Sequence, residues 1–128
     1  MVEKKDYKKW LKYAIEDYEK VKFGFYFEEK FELCCNAQQA IEKLFKGYLI
    51  MKGKEYTSTH DIYALCKYCA KYDEKFNSFR RYASILSKYY VDKRYPYTNS
   101  LESIDINIDN VMKFLEEVFE YVEPILWE

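Results

Sequence analysis

The stretch FELCCNAQQAIEKLFKGYLIM, Phe31 to Met51, decides the fold. Set on a helix at about 100° per residue, Phe31, Cys34, Gln38, Ile41, Phe45, Tyr48 and Leu49 share one face. Gln38 therefore stands at the centre of an otherwise apolar stripe. A buried amide left without partners costs about 1–3 kcal/mol, so Gln38 is expected to bond something specific. Gly53 follows where a left-handed C-terminal cap is favoured, and the spacing predicts a helix from Phe31 to about Lys52.

Working outward, the segment from Asp6 to about Phe27 repeats Tyr7, Leu11, Ala14, Tyr18, Val21 and Phe25 at spacings of 4 and 3, a narrow helical seam. The link at Glu28 to Lys30 is short enough to make these two helices antiparallel neighbours. A third helix is predicted over His60 to Tyr72, capped by Ser58 or Thr59, with Ile62, Leu65, Cys66, Cys69 and Tyr72 buried. A fourth opens at Asn77 or Ser78 and buries Phe79, Tyr82, Ala83, Leu86 and Tyr90. It must stop before Pro96, because the residue preceding a proline is pushed out of helical geometry. Arg94 to Ser103 reads as irregular. A fifth helix, Asp105 to Val122, carries Ile108, Val111, Met112, Leu115, Val118, Phe119 and Val122, and Pro124 closes it. With no repeat, linker or low-complexity tract, residues 1–128 read as a single all-α domain, an up-and-down bundle of four to five helices.

Composition agrees. Only 3 Gly and 2 Pro interrupt the chain, and 49% hydrophobic with 34% charged residues is the balance of a soluble globular protein. The net charge of −1 gives no global electrostatic reason to expect nucleic-acid binding, although a local basic patch stays open. The 15 Tyr and 9 Phe are enough to fill a core and leave apolar surface for a dimer interface. Met1 to Lys12 is too charged for a signal peptide, and no apolar run is long enough to span a membrane, so a cytoplasmic protein with reduced thiols is expected. Cys34 and Cys35 are adjacent and lack the C-x-x-C spacing of a zinc site; with Cys66 and Cys69 they read as buried thiols rather than as metal or redox groups. Neither a metal site nor a cofactor is expected.

Four pieces, in order, resemble the HEPN domain (higher eukaryotes and prokaryotes nucleotide-binding): Trp10-Leu11-Lys12 with Ala14 and Asp17; Ala37-Gln38-Gln39-Ala40-Ile41-Glu42-Lys43; Thr59-His60-Asp61-Ile62; and Arg94-Tyr95-Pro96. The resemblance implies a helical bundle, usually homodimeric. It is often encoded beside a minimal nucleotidyltransferase in pairs that behave as toxin–antitoxin systems. Another branch of the family consists of metal-independent ribonucleases, marked by an Arg followed four to six residues later by a His. Imidazole can do general acid–base work on a ribose hydroxyl, and Arg would stabilise the charged phosphorane. The chain's one histidine, His60, has no Arg at that distance before it. From Arg94 the corresponding positions hold Thr98, Asn99 and Ser100.

The candidate binding residues are Asp17, Gln38, Glu42, Lys43, His60, Asp61, Arg94 and Tyr95; none is assigned as catalytic. Gln38 can fix helix register through a polar group on a facing helix, with Asp17 a possible network member, or it can hold a ligand. Glu42, Lys43 and Lys46 read as a solvated flank with i, i+4 pairing. His60 and Asp61 open a helix, as a cap or as a receiver of phosphate at free amides. Arg94 can clamp a phosphate beside the ring of Tyr95, or pin the loop to a carboxylate. Taken together, the chain reads as a non-catalytic HEPN-type binding protein, a homodimeric partner of a minimal nucleotidyltransferase, with nucleotide or RNA as further ligand classes. The alternatives are an atypical ribonuclease toxin using His60 and Arg94, and a stand-alone nucleotide-binding module.

Overall fold

The computed structural model describes residues 6–54, 58–90 and 106–128. Within them the chain is helical: α1 (Tyr7–Gly24), α2 (Lys30–Met51), α3 (Ile62–Ala70), a 3-10 turn (Glu74–Phe79), α4 (Arg80–Leu86), a second 3-10 turn (Ser87–Tyr89) and α5 (Ile108–Trp127). This is the all-α bundle that the periodicity predicts. Arg94, Tyr95, Pro96 and the predicted start of the last helix at Asp105 lie outside the described residues.

The second helix is central rather than one-sided. Fifteen of its residues are buried, from Leu33 to Ile50, on every side of the cylinder. A helix apolar on several faces must be wrapped by neighbours, and α1, α3 and α5 supply them. Burial reaches Glu42 and Lys46, 8% and 2% exposed, so the expected solvated flank is corrected: these two charges belong to the interior.

The α1–α2 contact is antiparallel, as the short link requires. Close approach is possible because position 47 lacks a side chain: a Cβ there would lie 3.2 Å from the Cβ of Trp10 and 3.3 Å from the carbonyl oxygen of Tyr7. At the far end, Gly53 takes φ +83°. Its amide bonds the Ile50 carbonyl at 2.8 Å, and the Lys54 amide bonds that of Leu49 at 2.9 Å, the paired closure of a Schellman cap.

Beyond that cap, His60 stands beside Gln38 and, nine residues on, Cys69 stands beside the Phe45 carbonyl. Ten residues, 52 to 61, can reach over 30 Å, ample for the roughly 20 Å back from Met51 to Gln38. Three expectations at helix ends need correction. Asp61, not Ser58 or Thr59, caps α3, accepting from the amides of Tyr63 (2.9 Å) and Ala64 (3.4 Å). Neither Asn77 nor Ser78 caps α4; Asp73 opens the preceding 3-10 turn through the Lys75 amide, and α4 follows without a side-chain cap. The last helix runs through Pro124 to Trp127. Proline removes one backbone donor there, but it lies on the exposed face, while Leu126, fully buried, keeps the final turn on the core.

The four cysteines are buried, as read from the sequence. Burial pushes the thiols up, Cys34 to about 11, Cys35 and Cys66 to about 12, and Cys69 well above the usual thiol range. Cys66 also donates to the Phe76 carbonyl at 3.1 Å. Among the described residues no helix is long and apolar enough to cross a membrane.

Candidate functional site

Gln38, Glu42 and Lys46 follow one another at i, i+4 and i+8, which stacks them one above the next along α2. Gln38 Nε2 donates to Glu42 Oε1 at 3.1 Å and to the backbone oxygen of His60 at 2.9 Å. Lys46 Nζ donates to Glu42 Oε2 at 2.7 Å. The same oxygen meets His60 Nδ1 at 2.9 Å. A carboxylate only accepts, so Nδ1 carries the proton in this pairing. The imidazole in turn stacks on Tyr90, centroids 4.2 Å apart and planes 8° apart. Trp10 of α1 closes the other end, its ring 5.6 Å from the Lys46 ammonium.

The expected partner of Gln38 is found, but it is not Asp17. The amide reaches Glu42 and His60, while Asp17 makes a separate bridge from α1 to Lys43 at 2.6 Å, with Lys20 at 3.6 Å. Glu42 and Lys43 are neighbours in sequence and diverge in space, since adjacent helical residues point about 100° apart. Gln38 Oε1 accepts no hydrogen bond among the described residues, so the buried amide is satisfied on its donor side only.

Of the candidate residues, Gln38, Glu42 and His60 therefore form one centre, Asp17 and Lys43 a second. Asp61 is spent on the α3 cap. Its carboxylate takes the first amides of that helix, which leaves no free amide pair there for a phosphate. Arg94 and Tyr95 lie outside the described residues. Sequence reasoning missed Lys46, Tyr90 and Trp10 as members of the centre. The spacing held the signal for Lys46: Gln38 was already on the buried stripe, and i+4 and i+8 lie within about 80° of it. Tyr90, expected in the core, is half-buried and presents its ring to His60.

The centre is a closed network with one open face. The Glu42 and Lys46 side chains are 10% and 2% exposed, that of His60 43%. Lys46 neutralises Glu42 in the interior, and the carboxylate's three donors come from three side chains. Such an arrangement can do two things chemically. It locks the start of α3 onto the middle of α2, and it holds an imidazole in fixed orientation at the surface.

Fold and centre together define a small helical-bundle protein organised around a polar seam on its central helix. The sequence matches the HEPN domain over residues 7–125, nearly the whole chain, and the protein belongs to the HEPN domain family. Neither a curated protein nor a solved structure matches it.

Proposed function

We propose that this HEPN bundle acts by binding rather than by bond breaking, as a homodimeric partner of a minimal nucleotidyltransferase in a toxin–antitoxin type pair. One observation carries the reading: the chain's only histidine is built into the fold, tied at Nδ1 to Glu42 and stacked on Tyr90. The ribonuclease branch of the family needs an arginine four to six residues before its histidine, and His60 has none. Of the described arginines, Arg80 bonds Asn77 and Tyr63, and Arg81 lines a groove between α4 and α5. A nucleotide or RNA is a further ligand class for this protein; that groove, about 340 Å³, sets Arg81 and Lys113 beside the rings of Tyr82 and Phe114. The test is co-expression with any minimal nucleotidyltransferase found encoded next to this gene. A complex that survives purification is expected; a chain that elutes alone, or a gene with no such neighbour, sinks the reading.

One observation favours a second reading, an atypical ribonuclease toxin. With Nδ1–H held by a carboxylate, the opposite nitrogen of a 43% exposed ring is oriented to take a proton from a ribose hydroxyl. Purified protein incubated with total RNA decides between them. Cleavage that disappears in His60→Ala would displace the binding reading; no cleavage above background by either protein retires the enzyme.

A further inference from the structure

The seam between α1 and α5 leaves an open groove. One part is a hollow of about 570 Å³, floored by Tyr18, Phe119 and Trp127 with Glu116, Glu120 and Glu123 beside them. The next, about 300 Å³, adds Lys22, Phe25, Tyr26 and Met112 and shares Glu116 with the first. Its floor is aromatic: Tyr18 stacks on Phe119 at 4.3 Å, and Trp127 and Tyr26 are 56% and 81% exposed. Between Met112 and Trp127 the helix advances about 22 Å, the length of some four helical turns.

Charge decides what fits. Glu116 and Glu120 form no ion pair among the described residues, and Glu123 accepts only the indole N–H of Trp127, at 3.0 Å. The Tyr18 hydroxyl registers the resulting field: burial and then Glu116, Glu120, Glu19 and Glu123 push it up to about 12. The protein already sets one cation on this floor, the Lys22 ammonium 4.4 Å from the Tyr18 ring centroid. We propose that the α1–α5 groove is a docking site for an amphipathic helix of another protein, with apolar anchors at i, i+3 or i+4, and i+7 and with lysine or arginine along its edges. The apolar anchors would enter the two hollows, and the basic edge would meet the glutamate row. A nucleic acid or an anionic lipid would bring phosphates against those glutamates. A second copy joined twofold through the same face would set one glutamate row against the other. The proposal concerns the chemistry of the partner segment and does not depend on which protein supplies it.

The test uses the full chain and two designed 18-residue peptides, alike in their leucine stripe, one with lysine on the flanks and one with glutamate. Trp127 lies in the groove, so its emission follows the titration, and calorimetry gives the affinity. The lysine peptide is expected to bind, the glutamate peptide at least about tenfold more weakly, with the preference inverted in the Glu116→Lys, Glu120→Lys protein. Both positions are exposed, so the variant should fold. Equal affinity for the two peptides, or no binding of either at millimolar concentration, overturns the proposal. So does an RNA oligonucleotide that displaces the lysine peptide. A free protein whose mass in solution falls in the charge-reversed variant would show the groove occupied by a second copy, which also overturns it.

Discussion

Two ion pairs start from neighbouring residues of α2, and they are built differently. Glu42–Lys46 at 2.7 Å is closed on both sides, with Gln38 and His60 as further donors to the same carboxylate. Asp17–Lys43 at 2.6 Å has an equally buried carboxylate, but its lysine is 31% exposed and a second lysine, Lys20, reaches in from solvent. Bond length does not separate them. What differs is whether the cation can return to water when its partner is lost. The first pair is a structural commitment of the interior; the second is a clip between α1 and α2 whose cations keep a foothold outside.

Removing one partner of each pair should separate the two most clearly. Lys46→Ala leaves Glu42 charged in the interior, and such a loss costs about 3–5 kcal/mol. Urea unfolding should show it as a large fall in midpoint. Replacing both charges at once, Glu42→Leu with Lys46→Met, should recover the protein to within about 1–2 kcal/mol of the parent, because the desolvation of both ions is relieved together. A double variant no better than Lys46→Ala alone would mean that Gln38 and His60, not the ion pair, hold this region.

The dryness that separates the pairs can be probed without touching either. Cys34 and Cys35 lie on α2 one turn before Gln38, and burial raises them from 9.0 to about 11 and about 12. A raised thiol keeps its proton in the fold while the unfolded chain releases it. The stability is therefore complete below pH 9 and is lost as pH rises toward 11–12. At pH 10 each buried thiol should cost about 1.4 kcal/mol relative to pH 8. Cys34→Ala should flatten the alkaline slope by about one proton per molecule; an unchanged slope would mean that water reaches this part of α2.

The clip is the smaller effect. Lys43→Ala should cost about 1–2 kcal/mol, since Lys20 remains to partner Asp17 and the lost bond is half-open. Raising salt from low to 1 M should narrow the gap between parent and variant, which it should not do for Lys46→Ala. Equal costs for the two lysines would erase the distinction between the interior pair and the clip.

Much of this architecture was legible because α2 announces itself: its stripe, Gly53 behind it and the short link before it give the helix and its antiparallel partner. The Gln38 stripe even pointed at the seam. What periodicity could not give was the number of neighbours around α2. A helix wrapped on three sides buries flanks that a two-sided pattern assigns to water, Glu42 and Lys46 among them. The contact between Gln38 and His60 crosses 22 residues and depends on the return of the 52–61 connection, which no local pattern encodes. Helix ends were misread where several capping residues compete, as Ser58, Thr59 and Asp61 do before α3. Pro124 failed as a stop because Leu126 beyond it is anchored in the core.

His60 lies at the margin between the two kinds of site, and its variant should have the smallest effect on stability. His60→Phe keeps a flat ring for Tyr90 and leaves the backbone oxygen that Gln38 bonds, removing only the Nδ1 contact to a carboxylate that still holds Lys46 and Gln38. With the ring 43% exposed, the loss should be about 0.5–1.5 kcal/mol. A loss above about 3 kcal/mol would place the imidazole with Lys46 as part of the closed interior. The same variant separates stability from function. If it unfolds like the parent yet fails to bind a nucleotidyltransferase that the parent binds, the open face of the centre is the contact surface. If binding also survives, the centre serves the fold alone, and the partner must be met elsewhere on the bundle.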